Sequence, residues 1–230
     1  MAKLSILIPA YNEEKTIALI LEKVKGIKLR GIVKEIIVVD NASTDKTFDI
    51  LRKYAGKGIR VIRHKKNMGK GTSIRTALSH ATGDIILVQD ADLEYDPKDY
   101  PRLIKPILEG KARVVYGSRL LGRNVRYARL MYYLGGLSLS KIFKLLYGNE
   151  VSDVCCGYKV FSSDVIKGIN LKCREFEFDC EVTAKISKKG IKVYNIPISY
   201  APRSRKEGKK INFKDWLKSV YVMLKYRIMD

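Results

Sequence analysis

Five short apolar runs, Leu4–Ile8, Glu35–Val39, Ile59–Ile62, Asp84–Val88 and Arg113–Tyr116, alternate with stretches of helical periodicity at roughly 13–25, 45–55, 70–81 and 98–109. The runs are rich in β-branched residues and are bounded by Gly, Pro, Asn or Asp, as buried strands are. A strand covered on both faces needs a continuous apolar run, so the order predicts an α/β fold. Its expected form is a mostly parallel central sheet with helices on both faces. In such sheets ligands bind beyond the carboxyl ends of the strands. The polar motifs fall there: "PAYNEE" after the first strand, "DNASTD" after the second, "QDADLE" after the fourth and "GSR" after the fifth.

Beyond residue 120 the pattern changes. Residues 126–147 read as a Tyr- and Leu-rich helical segment interrupted at Gly135-Gly136, followed by a strand near Gly157–Phe161. Ile191–Tyr200 reads as a late strand, placed at an edge because Pro197 cannot donate to a neighbour. A final helix is expected over 213–228. No repeat, low-complexity tract or linker divides the 230 residues, which are read as one domain whose pattern changes near residue 120.

The carboxylates of "VQDADLEYD" carry the most chemistry. Asp90 and Asp92 flank Ala91, so in extended backbone their side chains leave on one side, and Glu94 continues it. Such a triplet suits either a turn with solvated acids or a hard divalent cation. Its position at the end of a buried strand favours the cation. The surrounding chain is strongly basic: 45 Lys and Arg stand against 24 Asp and Glu, a formal charge of +21, which points to a polyanionic partner. Nucleic acid, an anionic membrane and phosphorylated small molecules all meet that description.

Other constellations exclude chemistries. The four cysteines, at 155, 156, 173 and 180, contain no C-x-x-C pair and read as reduced core residues. His64 and His80 lack metal-ligand spacing. "NMGKGTS" fails the phosphate-loop pattern because Gly71 follows Lys70, so it reads as a loop entering a helix. Serines 43, 73 and 118 have no histidine motif nearby to serve as base. Gln occurs once, at position 89, against abundant Lys and Ile, a thermophile-like bias. The apolar run after Lys3 ends at Pro9, too soon for a signal peptide, and no stretch reaches the ~20 apolar residues of a membrane span. The expected location is cytosolic or peripheral.

Taken in order, "SILIPAYNEEKTI", "EIIVVDNASTDKT", "NMGKGTSIRTAL", "GDIILVQDADLEYDP" and "VVYGSR" resemble the second family of glycosyltransferases, with its GT-A nucleotide-diphospho-sugar transferase fold. "SDVCCGYKVF", "FEFDCEVTAKISKKG" and "IPISYAPRSRKEGKKI" resemble polyprenyl-phosphate transferases of the dolichol-phosphate mannose synthase type. That resemblance implies roles, with 1–120 as the nucleotide-sugar-binding half and 121–230 as the acceptor-binding half. Pro9, Tyr11 and Glu13 would line the nucleoside pocket, with Val38 and Asp40 on base and ribose. Asp90, Ala91, Asp92 and Glu94 would hold ribose, diphosphate and a metal, Mg²⁺ or Mn²⁺, with Asp92 and Glu94 as its ligands. Arg203 and Lys209 would close on the donor diphosphate. Taken alone, Glu13 also reads as a first-turn acid favoured by the helix dipole, and the loop of Arg203 as merely solvated.

Arg119 of "GSR" would meet the acceptor phosphate, together with Arg126 and Arg129. The implied reaction is inverting transfer of a hexose, GDP-mannose being the leading donor and UDP-glucose the alternative, to dolichyl or polyprenyl phosphate. Arg126, Arg129, Lys141 and Lys144 fall beside Leu130, Leu134, Leu137 and Leu145; in the last helix Lys214, Lys218 and Lys225 border Leu217, Val220, Leu224 and Ile228. Such helices suit the cytoplasmic membrane surface, with or without a small anchoring subunit, and equally suit core packing with lysines on the wet face. Two rival classes remain. A nucleic-acid-binding module would need an RNP, KH or zinc-finger pattern, which is absent, so no nucleic-acid partner is expected. A sugar-1-phosphate nucleotidyltransferase would open with a Gly-rich, Arg-bearing loop where this chain has "PAYNEE".

Overall fold

The computed structural model describes residues 1–56, 58–122, 130–203 and 212–229. A seven-stranded sheet contains β1 (Ala2–Ala10), β2 (Ile32–Asp40), β3 (Ile59–Arg63), β4 (Ile85–Val88), β5 (Val114–Ser118), β6 (Lys159–Ser162) and β7 (Val193–Pro197) in the order β3-β2-β1-β4-β6-β5-β7. All neighbouring pairs are parallel except those of β6, which runs antiparallel to both β4 and β5. A strand from the second half of the chain therefore sits between two from the first. β7 with Pro197 lies at the edge, as expected from the missing donor.

The helices are α1 (Ile17–Gly26), α2 (Thr47–Tyr54), α3 (Lys70–His80), α4 (Tyr100–Leu108), α5 (Leu130–Tyr147), α6 (Ser163–Lys167), α7 (Phe178–Lys188) and α8 (Phe213–Ile228). Asp96 caps the 3₁₀ turn that leads into α4, accepting from the Lys98 amide. α8 is bounded as the sequence predicts and opens with a capping box between Asn212 and Asp215. Two apolar clusters fill the two faces of the sheet: one around Leu7, Ile37, Phe143, Phe161 and Val182, the other around Ile6, Ile8, Leu21, Val38 and Tyr100. Alternate residues of β1 and β2 enter opposite clusters, the period of two that a pleated strand imposes.

Two expectations need correction. α5 runs unbroken through Gly135-Gly136. A Cβ at Gly135 would lie 3.9 Å from the Trp216 ring and one at Gly136 would lie 3.9 Å from the Arg119 guanidinium, ordinary contact distances, so the helix continues through two residues of low helix propensity with room for a larger side chain. Val38 is wholly buried in the second cluster. Its backbone is paired in β2 on both sides, so it has no surface for a base or ribose. The cysteines are free: Cys156 and Cys180 are buried, Cys155 and Cys173 partly so.

Candidate active site

The carboxyl ends of β1, β2 and β4 bring three loops together. Asn12 and Ala42 adopt left-handed backbone, φ 51° and 59°, a conformation costly for a non-glycine residue and held here by cross-bonds. Asn12 receives the Ser43 hydroxyl oxygen on its amide at 3.0 Å, while its own side-chain oxygen accepts the Thr44 amide at 2.8 Å. The Glu13 amide donates to Thr47 at 2.8 Å. The loops after β1 and β2 are thereby locked as one rim, on which Pro9 and Tyr11 lie half-buried.

Asp40 ends β2 fully buried. One oxygen accepts the Ser43 amide at 3.3 Å; the other lies 3.2 Å from Arg63 Nε without hydrogen-bond geometry and has no hydrogen-bond partner among the described residues. With no exposed surface, Asp40 braces the rim from beneath and, like Val38, offers no open contact to a base or ribose. His64 is structural, contacting the Asn41 side-chain oxygen and the Thr76 hydroxyl, each at 3.0 Å.

After β4 the chain turns on Asp92, whose Oδ1 accepts the Glu94 amide at 3.1 Å. Ala91 is buried between the two aspartates. Beneath them Gln89 donates to the Asp90 carbonyl at 2.9 Å and accepts from Tyr100 and Tyr158 at 2.7 and 2.8 Å. Fully satisfied in the core, it fixes the base of the turn.

Two cations gather the acids. Lys70, at the start of α3, lies 2.6 Å from Asp90. Burial pulls its ammonium pKa down, but Asp90 and Asp179 more than offset that and leave it raised. Arg203 holds the other three: Nη1 is 2.9 Å from Glu13, Nη2 is 2.6 Å from Asp92, and Nε is 3.5 Å from Glu94. Glu94 is held independently, by the Tyr200 hydroxyl at 2.7 Å and the Arg203 amide at 3.1 Å. Gly157 closes the side wall, where any Cβ would meet Asp90 Oδ2 at 2.3 Å.

Among the described residues, the carboxyl groups of Glu13, Asp90, Asp92 and Glu94 thus gather around Lys70 and Arg203. Asp92 shows the crowding: burial first, then Asp90 and Glu94, push it up to about 7 against the opposing pull of Arg203. Such hard oxygen donors fit a divalent cation in kind. With Arg203 inside the cluster, no group of three His, Cys, Asp or Glu among the described residues is arranged to hold a metal.

Arg119 does not stand open as the sequence reading placed it. Its Nε and Nη2 donate to Asp153 at 2.7 and 2.8 Å, its amide donates there too, and its guanidinium lies 5.2 Å from the Tyr200 ring centre. Asp153 balances its charge, so any phosphate contact falls to the remaining N–H groups. Deeper still, Lys159 lies in the wall, 2.9 Å from Asp179 and bonded to the Val154 and Cys156 carbonyls. Neither pair was foreseen; a lysine inside the apolar run "YKVF" was the available signal. Arg126, Arg129 and Lys209 lie outside the described residues.

Comparison with known proteins agrees with this geometry. Residues 5–169 match the family described as Glycosyl transferase family 2. An uncharacterized Methanocaldococcus jannaschii protein is 33% identical over 214 residues, covering 90% of this chain and 85% of the relative. A Pyrococcus furiosus protein named dolichol-phosphate mannosyltransferase is 29% identical over 97% of this chain, which spans 64% of that relative's length. A Trichomonas vaginalis protein named dolichyl-phosphate beta-glucosyltransferase is 28% identical, with 97% of this chain and 72% of the relative covered. Among solved structures, glucosyl-3-phosphoglycerate synthase from Mycobacterium tuberculosis, in complex with Mn²⁺, UDP and glucosyl-3-phosphoglycerate, superposes with a TM-score of 0.74 at 21% identity over 98% of this chain and 80% of that one. That likeness establishes the GT-A-like fold.

Proposed function

The chain belongs to glycosyl transferase family 2 and is a glycosyltransferase, and from that premise we propose that it moves one hexose from a nucleoside diphosphate to a polyprenyl phosphate with inversion. The observation that carries the donor half is the cluster of Glu13, Asp90, Asp92 and Glu94 at the ligand end of the sheet. Glu13 and the rim at Pro9 and Tyr11 take the nucleoside, Asp90 and Asp92 face ribose and diphosphate, and Arg203 binds diphosphate oxygens bidentately. Asp92 and Glu94 hold Mg²⁺ or Mn²⁺, which when bound offsets the charge of the departing nucleoside diphosphate. GDP-mannose is our leading donor. UDP-glucose stands beside it, because relatives named for mannosyl and for glucosyl transfer match this chain at 29% and 28% identity.

A phosphate monoester carries ~1.5 to 2 negative charges near neutral pH. Its oxygen attacks already ionised, whereas an alcohol would need a positioned general base. The acceptor side need supply only cations: the N–H groups of Arg119 that Asp153 leaves, with Arg126 and Arg129. For location we propose the cytoplasmic membrane surface. α5 and α8 bury one face each, at Leu139 and Phe143 and at Val222, Met223 and Tyr226, and expose another, at Leu130, Leu134 and Leu145 and at Leu217, Leu224 and Ile228. Apolar side chains flanked by Lys141, Lys144, Lys214 and Lys225 support an interfacial lie. Among the described residues no helix is long and apolar enough to cross a membrane.

The test is a screen of nucleotide sugars with Mn²⁺ or Mg²⁺, with and without a short polyprenyl phosphate. Transfer to the phosphate and not to free polyprenol is expected, as is loss of turnover in excess EDTA. Arg119→Ala should raise the acceptor requirement far more than the donor requirement. Comparable transfer to polyprenol, or full turnover in EDTA, would show a different chemistry.

A further inference from the structure

We propose that Arg203 is the resident counter-ion of the acid cluster and is exchanged, on donor binding, for a divalent cation. Its guanidinium holds Glu13, Asp92 and Glu94 while the donor is absent and moves onto the donor diphosphate once the cation arrives. The proposal rests on the donor reading above and adds an order of events that the fold alone does not dictate.

Three observations carry it. The first is that one guanidinium reaches acids from two different loops: Glu13 from the β1 side, Asp92 and Glu94 from the β4 side. The oxygen of Asp92 that holds Nη2 at 2.6 Å is the one free of the turn, since Oδ1 already accepts the Glu94 amide. A metal seeking Asp92 must therefore take the oxygen that Arg203 holds.

The second is that the fit is incomplete. Arg203 Nε is buried without a hydrogen-bond partner among the described residues, and its 3.5 Å approach to Glu94 lacks the geometry of a bond. A buried donor left unsatisfied costs free energy, so the guanidinium is held among these acids without being fully satisfied.

The third is that the backbone beside Arg203 is anchored apart from its side chain. The Ala201 amide donates to the Glu94 carbonyl at 2.9 Å, the Arg203 amide to the Glu94 carboxylate at 3.1 Å, and Tyr95 forms a β-bridge with Tyr200. Rotation about the side-chain torsions of Arg203 suffices to release Asp92 and Glu13, with Glu94 still held by Tyr200.

A divalent cation and a guanidinium on the same oxygens repel each other. Metal arriving alone displaces Arg203 from its carboxylates and supplies no anion in exchange, whereas metal arriving with a diphosphate supplies one. Binding of the two is therefore mutually favourable, and linkage makes that coupling reciprocal. The free enzyme should bind metal weakly, and the arginine should be the reason.

Calorimetric titration of MnCl₂ into the intact protein tests this, alone and with UDP or GDP, for wild type, Arg203→Gln and Arg203→Lys. In wild type we expect Mn²⁺ to bind more tightly with diphosphate present, by about 5- to 150-fold. Arg203→Gln should tighten Mn²⁺ binding without nucleotide by at least about tenfold and shrink the gain from diphosphate, on the scale usual for such couplings. Arg203→Lys, which keeps the charge without the fork, should fall between and guards against a misfolded glutamine variant. If nucleotide-free Mn²⁺ affinity in both variants equals or falls below that of wild type, the exchange is wrong while the donor reading stands. If wild type with Mn²⁺ binds neither UDP nor GDP, both fall together.

Discussion

Two groups of buried charge meet at the ligand end of this sheet and follow opposite rules. Around Asp92, carboxyls from two loops crowd together, and burial first, then Asp90 and Glu94, raise Asp92 to about 7. In the neighbouring wall, charges lie in close opposite pairs with backbone bonds besides: Arg119 with Asp153, and Lys159 with Asp179 and two carbonyls. Asp153 shows the contrast. Burial alone would raise its pKa, yet Arg119 brings it below the usual carboxylate range. The paired charges belong to the wall, and the crowded acids are those we assign to the ligand.

That contrast can be broken most directly at Lys159. Lys159→Met strands Asp179 in the wall, and urea unfolding should show a loss of about 3–5 kcal/mol, the cost of leaving a buried charge unpaired. Asp92→Asn should do the reverse. We expect its turnover to fall by about 10²–10³, the scale for losing one preorganised electrostatic group, with stability in metal-free buffer no lower than wild type. A stable, fully active Asp92→Asn enzyme would remove the acid cluster from the chemistry.

Gly157 joins the two regions, since its neighbour across the gap is Asp90. Gly157→Ala must push that carboxylate aside, and we expect turnover to drop by up to about 10², as misplacement near 1 Å typically does. Unchanged kinetics would mean that Asp90 tolerates displacement.

Titration separates the regions by sign. Asp92 has a folded pKa above its unfolded value, so the folded protein holds the extra proton between about 4 and 7, and stability from this group falls as pH rises through that window. Asp153 has a lowered folded pKa; its contribution is present above the unfolded value and is lost as pH falls through the folded one. In metal-free buffer, melting profiles of Asp92→Asn should lose the first slope and those of Asp153→Asn the second. The smallest effect concerns the membrane. Replacing Lys214, Lys218 and Lys225 by Glu should weaken sedimentation with anionic vesicles at low salt by roughly 1 kcal/mol per lysine at most, less for Lys218, which pairs with Glu175 at 2.5 Å. Binding indifferent to lipid charge and salt would refute the interfacial lie.

Most of the frame was legible because it is periodic. Strand order through β5, the edge position of Pro197 and the bounds of α8 follow from local pattern and turn chemistry. The Asp90–Glu94 turn was legible from its place at a strand end. Arg203 was legible through the resemblance as a donor-diphosphate group, but its pairing with the acids was not, because the partners are remote: it reaches Asp92 across 111 residues and Glu13 across 190. Lys70 was weighed only against the phosphate-loop pattern, which it fails, although a lysine at a helix start beside a ligand end is a plausible partner for an acid. Gly135-Gly136 misled because helix propensity is a weak guide where tertiary packing holds the helix, here through the buried Leu139 and Phe143.

The reversed strand β6 also bears on how such a chain can diversify. Because it starts beside the end of β4, with Lys159 opposite Val88, the stretch just before it, from Asp153 to Gly157, lies on the ligand side against Arg119 and Asp90. The segment after it emerges at the opposite pole, where Ser163 bonds to Asp84 and Lys167 to the Ala81 carbonyl. Extra residues grafted at Gly168 would project away from the donor and leave it undisturbed. Residues added between Asp153 and Gly157 would alter what the site admits, so the inversion gives one chain two insertion points with separate consequences, one for attachment and one for selectivity.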